Sequence, residues 1–129
     1  MKSFIATQKS YDYKIIIWHD NIFSIDPSIK NELDHIMSKF DVEIREFDYH
    51  NEIRSLKTPS SLLWLNSTNL AAKSDNVRVV LLFKYGGLWF DLDCCFLRDM
   101  NHCFISDFAY EWEFQDYGNS ALMYFKHDS

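Results

Sequence analysis

Glycine and proline are scarce, with 3 and 2 copies in 129 residues, so each marks a place where the backbone needs one. No apolar run approaches the roughly 20 residues of a membrane helix. The N-terminus turns polar at Thr7, Gln8, Lys9 and Ser10, which excludes a secretory leader pattern. The expectation is a cytoplasmic chain with no membrane span. Basic residues are the minority, 13 Lys and Arg against 19 Asp and Glu for a net charge of −6, which argues against nucleic acid as a partner. Cys94, Cys95 and Cys103 are an odd set with an adjacent pair, so they read as free thiols rather than a disulfide framework. They also lack zinc-ligand spacing. His19, His35, His50, His102 and His127 show no ligand spacing either.

What is present in quantity is apolar and aromatic: 47% and 17% of the residues. Such a chain folds, and its length suits a single domain over 1–129. An acidic protein that holds a phosphate ligand needs a divalent cation or a helix N-terminus to do so.

Lys14 to Trp18 is a short run of β-branched and aromatic residues, the pattern of a strand covered on both faces. Trp18 reads as a core residue. Asp26-Pro27 supplies a helix N-cap with proline at the first helical position. Ile29, Leu33, Ile36, Met37 and Phe40 follow at helical spacing. Residues 41–47 then alternate as a second strand. Strand, helix, strand predicts a right-handed crossover and a parallel pair. Leu62 to Leu65 fits either a short strand or a helical turn. Leu70 to Tyr85 predicts a helix that Gly86-Gly87 stops. Leu88-Trp89-Phe90 reads as a buried strand delivering Asp91-Leu92-Asp93 at its C-terminal end, where ligands sit in open α/β sheets. Ala121 to Phe125 reads as a further strand, and Glu111 and Glu113 as exposed loop acids.

Asp91 and Asp93, at i and i+2, share a face of an extended segment, so both can reach one hard cation such as manganese or magnesium. Asp75 and Arg78, at i and i+3, share a helix face and can hydrogen-bond the hydroxyls of a sugar. Each pair has a bland reading as surface charge. Together they are specific. Ser74-Asp75-x-x-Arg78 followed by Tyr85-Gly86-Gly87-Leu88-Trp89-x-Asp91-x-Asp93 resembles the sugar-binding region of glycosyltransferases with a DXD motif. That family includes mannosyltransferases, capsular polysaccharide enzymes and the clostridial glucosylating toxins. The resemblance is strongest over residues 70–100 and extends more weakly to 11–50 and to Asn119.

The resemblance implies a GT-A-like α/β/α fold with a mostly parallel, Rossmann-like sheet, here incomplete because the chain is shorter than is usual in the family. It implies a retaining, metal-dependent transfer of a hexose from a UDP- or GDP-sugar to a saccharide or other acceptor, as in polysaccharide biosynthesis. Asp93 would be the main metal ligand, for Mn2+ or Mg2+. Asp91 would bind ribose and the metal. Asp75, Arg78 and Asn119 would hold the donor, with Gly86 and Gly87 admitting it close to the backbone. Two other readings compete: a non-catalytic remnant that binds a nucleotide-sugar or a partner, and a haloacid-dehalogenase-type phosphatase. The second lacks its usual Thr or Val, because Cys95 stands two residues beyond Asp93.

Overall fold

The computed structural model describes residues 1–9, 12–19, 26–54, 56, 69–114 and 116–127. The segment Leu62 to Leu65 lies outside them. The chain forms two compact units, residues 10–51 and residues 1–9 with 52–129.

The first unit is the βαβ element. Strand β1 (Ile15–His19) pairs in parallel with β2 (Val42–Glu46), from Ile15 opposite Val42 to His19 opposite Glu46. Helix α2 (Pro27–Met37) makes the crossover. Asp26 caps it by accepting the Ser28 N–H at 2.8 Å, and Pro27 opens the first turn, where its missing N–H costs nothing. The apolar stripe of this helix is only partly buried. Ile36 is covered, Ile29 and Met37 are exposed, and Phe40 lies beyond the last turn. Likewise β1 buries Ile15 fully and its other residues only in part, so it is less enclosed than its composition predicts. Trp18 packs edge-on against Phe47, with the Arg45 guanidinium over its ring.

In the second unit the sheet runs β3-β5-β4, formed by β3 (Gly87–Phe90), β4 (Phe108–Glu111) and β5 (Gly118–Phe125). Both pairings are antiparallel. The α/β class stands, but the parallel arrangement belongs to β1 and β2 alone among the described residues. The reason is the connection. β5 is fed by the β4 hairpin and returns alongside β3, whereas a parallel neighbour of β3 would need another crossover.

Helix α4 (Leu70–Tyr85) starts at Asn69, whose side chain accepts the Ala71 N–H at 2.9 Å. It ends at Gly86, whose φ of 65° suits a residue without Cβ. Val80, Leu81 and Leu82 are buried and form the core with Phe4, Ile5, Phe96 and Met123 of the same unit. Helix α1 (Lys2–Thr7), which no periodic pattern announces, docks through Phe4. Its ring stacks on Phe90 at 5.3 Å and meets Phe96 edge-on at 5.1 Å. The buried Gln8 accepts the Met100 N–H at 2.9 Å and so fastens the segment after β3 to this N-terminal helix. Since successive strand residues face opposite sides, Phe90 points to α1 while Trp89 and Asp91 meet α4. This unit is therefore a small α/β/α sandwich. A further helix, α3 (Tyr49–Arg54), begins at Asp48, which accepts the His50 N–H at 3.0 Å. No described helix is long and apolar enough to cross a membrane.

Candidate active site

The centre of the site is a buried cation. The Arg78 side chain is 8% exposed, an expensive place for a charge unless hydrogen bonds and opposite charges surround it. They do. Ser74 supplies its hydroxyl to Nη2 at 2.9 Å and its carbonyl to Nε at 3.3 Å, one helical turn back. Ser120 on β5 accepts from Nη1 at 2.7 Å. Asp75 and Asp91 stand on either side, each 3.5 Å from the guanidinium. The Trp89 ring lies beneath it, 5.5 Å from the guanidinium carbon to the centroid. Trp89 also donates its indole N–H to Asp91 Oδ1 at 3.0 Å.

Asp91 is thereby oriented by three groups. Its side chain faces Trp89 and Arg78, and its own N–H bonds the Ala121 carbonyl at 2.9 Å. Asp93 is different. The extended geometry expected for residues 91–93 gives way to a turn, closed by the Cys94 N–H on the Asp91 carbonyl at 2.9 Å. Leu92 and Asp93 occupy its tip, so the two carboxylates do not share a strand face. A strand that ends beside an antiparallel neighbour is released from the pleat as soon as pairing stops, and the last bond to β5 is that of the Asp91 N–H to the Ala121 carbonyl. Asp93 is exposed and makes no hydrogen bond or ion pair among the described residues. Burial raises the pKa of the adjacent Cys94 thiol, and the carboxylates of Asp93 and Asp91 add to the effect. It therefore remains a neutral thiol facing the Ala121 carbonyl.

The remaining residues divide. Asp75 is 58% exposed and reaches solvent with most of its carboxylate. Gly86 and Gly87 both have positive φ, 65° and 94°. A Cβ on Gly86 would strike the His127 backbone nitrogen at 2.7 Å, so the close approach it permits is to this chain's own C-terminal segment. A Cβ on Gly87 would meet nothing within 4 Å. Asn119 uses its side-chain oxygen locally, accepting the Ala121 N–H at 2.8 Å. Ser120, one residue on, is the side chain that enters the network. Sequence reasoning missed it because serine has no pattern of its own; its adjacency to Asn119 was the only signal. Glu111 and Glu113 are exposed.

Residues 2–109 match the family described as glycosyltransferase sugar-binding region containing DXD motif. The chain belongs to that family. The match spans α4, β3 and the Asp91-Leu92-Asp93 turn, so Asp75, Arg78, Trp89 and the acidic tip lie inside the glycosyltransferase region, while Ser120 and Asn119 on β5 lie beyond it. The phosphatase reading of the acidic pair has no part in this match. Comparison with curated proteins and with solved structures finds no match.

Proposed function

We propose that this glycosyltransferase-family chain binds a UDP- or GDP-sugar at the α4–β3 junction and transfers its hexose, with retention, to a saccharide or other acceptor. The observation that supports this reading best is the pairing of a braced, half-exposed acid with an unpaired one. Asp75 is tied to Ser120 and Arg78, and Asp93, at the tip of the next turn, is exposed and has no ion pair or hydrogen bond among the described residues. The first suits hydrogen bonds to sugar hydroxyls, and the second suits a hard cation shared with a diphosphate.

Asp93 would hold the divalent cation, manganese or magnesium, with Asp91 as the second carboxylate. The donor chemistry fits, since an exposed carboxylate is what such ions prefer and substrate phosphates complete their shell. No cluster of three or more His, Cys, Asp or Glu that could hold a metal exists among the described residues, so the oxygens of the donor are needed. When bound, the cation supplies charge neutralisation for the departing diphosphate. The chain's own residues do the rest. Asp75 fixes the sugar ring through its hydroxyls, and Arg78 holds Asp75 and Asp91 in place from beneath. Open space beside Gly87 admits the donor to the backbone. In the transfer the bond from the anomeric carbon to the phosphate oxygen breaks. The acceptor oxygen bonds that carbon on the same face, and its proton passes to the departing phosphate.

Calorimetric titration with UDP, GDP and a panel of their hexose derivatives, with and without manganese, tests the site. The expected result is manganese-dependent binding of one nucleotide-sugar, at least tenfold weaker in Asp93→Ala, with the melting temperature unchanged because Asp93 is exposed and unpaired. Unchanged binding in that variant would overturn the metal assignment. A second reading, a member that binds the donor without turning it over, is favoured by the engagement of Asp91 with Trp89 and Arg78. Binding without release of free nucleotide diphosphate in the presence of acceptors would select it.

A further inference from the structure

The group that joins the two halves of this site is on the central strand, outside the acidic motif and one residue beyond Asn119. Ser120 Oγ accepts from Arg78 Nη1 at 2.7 Å and donates its single proton to Asp75 Oδ1 at 3.1 Å. A hydroxyl has one proton and two lone pairs, so these two bonds determine its orientation. The direct contacts of Arg78 with Asp75 and Asp91 are 3.5 Å, at the outer limit of hydrogen bonding. The serine is thus the shortest link of the arginine to anything outside its own helix. Asp75 is mostly exposed, and an exposed carboxylate without such a link rotates freely.

We infer that Ser120 is a positioning residue of the sugar subsite. It holds the Asp75 carboxylate so that its remaining lone pairs face outward to accept from the hydroxyls of the donor hexose. The inference rests on the donor-site reading above. It assigns Ser120 to recognition of the sugar and not of the nucleotide, because among the described residues the hydroxyl bonds Asp75, the acid that would face the sugar, and Arg78.

That division makes the test. Each nucleotide-hexose of a UDP and GDP panel is titrated with manganese beside its bare diphosphate, UDP or GDP. Ser120→Ala should weaken binding of the preferred nucleotide-hexose about tenfold, the effect of losing one charge-assisted hydrogen bond. Binding of the bare diphosphate should stay within about twofold. Ser120→Thr keeps the hydroxyl and should restore most of the loss. Ser120→Cys keeps the volume with a weak donor and should behave as the alanine variant does. Equal weakening of hexose and bare diphosphate, or no weakening of either, would overturn the assignment while leaving the donor site standing. A wild-type chain that binds no nucleotide-hexose removes the donor reading itself, and this assignment with it.

Discussion

Two clusters among the described residues each set an arginine over a tryptophan beside carboxylates, and they differ in burial. In the βαβ unit, Arg45 lies over Trp18 and bonds Glu43 twice, at 2.5 and 3.0 Å. In the other unit, Arg78 lies over Trp89 between Asp75 and Asp91. The Arg45 side chain is 34% exposed and that of Arg78 is 8% exposed. The ion pair of the first cluster joins residues two apart on β2, with Trp18 of β1 under the arginine and Lys14 reaching Glu43 at 2.7 Å. The second draws on α4, β3 and β5. A pair near solvent is screened and free to re-form with water, so it contributes little. A buried guanidinium has no such freedom, and every donor left unpaired would cost about 1–3 kcal/mol. Short bonds therefore do not mark the more constrained cluster; burial does.

The largest expected effect breaks the buried cluster. Arg78→Ala should destabilise the chain by about 2–3 kcal/mol, since it empties a packed site and removes the link from α4 to β5. Nucleotide-sugar binding should vanish with it. Chemical denaturation and titration on the same sample would check both, and loss of neither would make the two clusters equivalent. Arg78→Lys should rescue only part, because an ammonium cannot reach Ser74, Ser120 and Asp91 in one fork.

Gly86→Ala tests whether long-range constraint extends to the turn before β3. A Cβ there meets both a φ of 65° and the His127 backbone at 2.7 Å, so a cost of about 1–2 kcal/mol is expected. Gly87→Ala has open space in its place and faces the backbone strain alone. Equal melting temperatures for the two variants would contradict the close approach to His127.

Glu43→Gln, in the exposed cluster, should do least. Hydrogen bonds from Arg45 and then Lys14 lower the Glu43 pKa from 4.5 to about 2. Its folded-state pKa is depressed, so its stabilisation is present above pH 4.5 and is lost as pH falls toward 2. The variant should melt about 1–2 °C below wild type at pH 7, a gap that closes through that window. A gap that persists at pH 2 would mean that the effect is not one of charge.

The acidic motif itself shows where sequence reading reached its limit. Asp75, Arg78 and Asp91 were recognisable as one constellation, and the structure brings them together around the guanidinium. The geometry inside it was not legible. Their i, i+2 spacing predicts that Asp91 and Asp93 share a strand face, but the turn closed by Cys94 ends the extended geometry between them. The family resemblance implies that Gly86 admits a ligand, whereas the close approach at Gly86 is to the His127 backbone. The first difference lies in a local turn at the end of β3, and the second in a contact with the segment after β5, whose position relative to β3 no local pattern encodes.

What the sequence alone determined is what near neighbours in the chain decide. Asp26-Pro27 starts α2, Gly86 ends α4 after Tyr85, and the βαβ order makes β1 and β2 parallel, because caps, helical turns and crossover handedness depend on adjacent residues. Tertiary structure alone decided that β3 has an antiparallel partner, that α1 packs on Phe90, and that Ser120 lies between Asp75 and Arg78. These contacts join residues far apart in the chain, and which ones form depends on how much apolar surface and how many buried polar groups the whole fold can satisfy together.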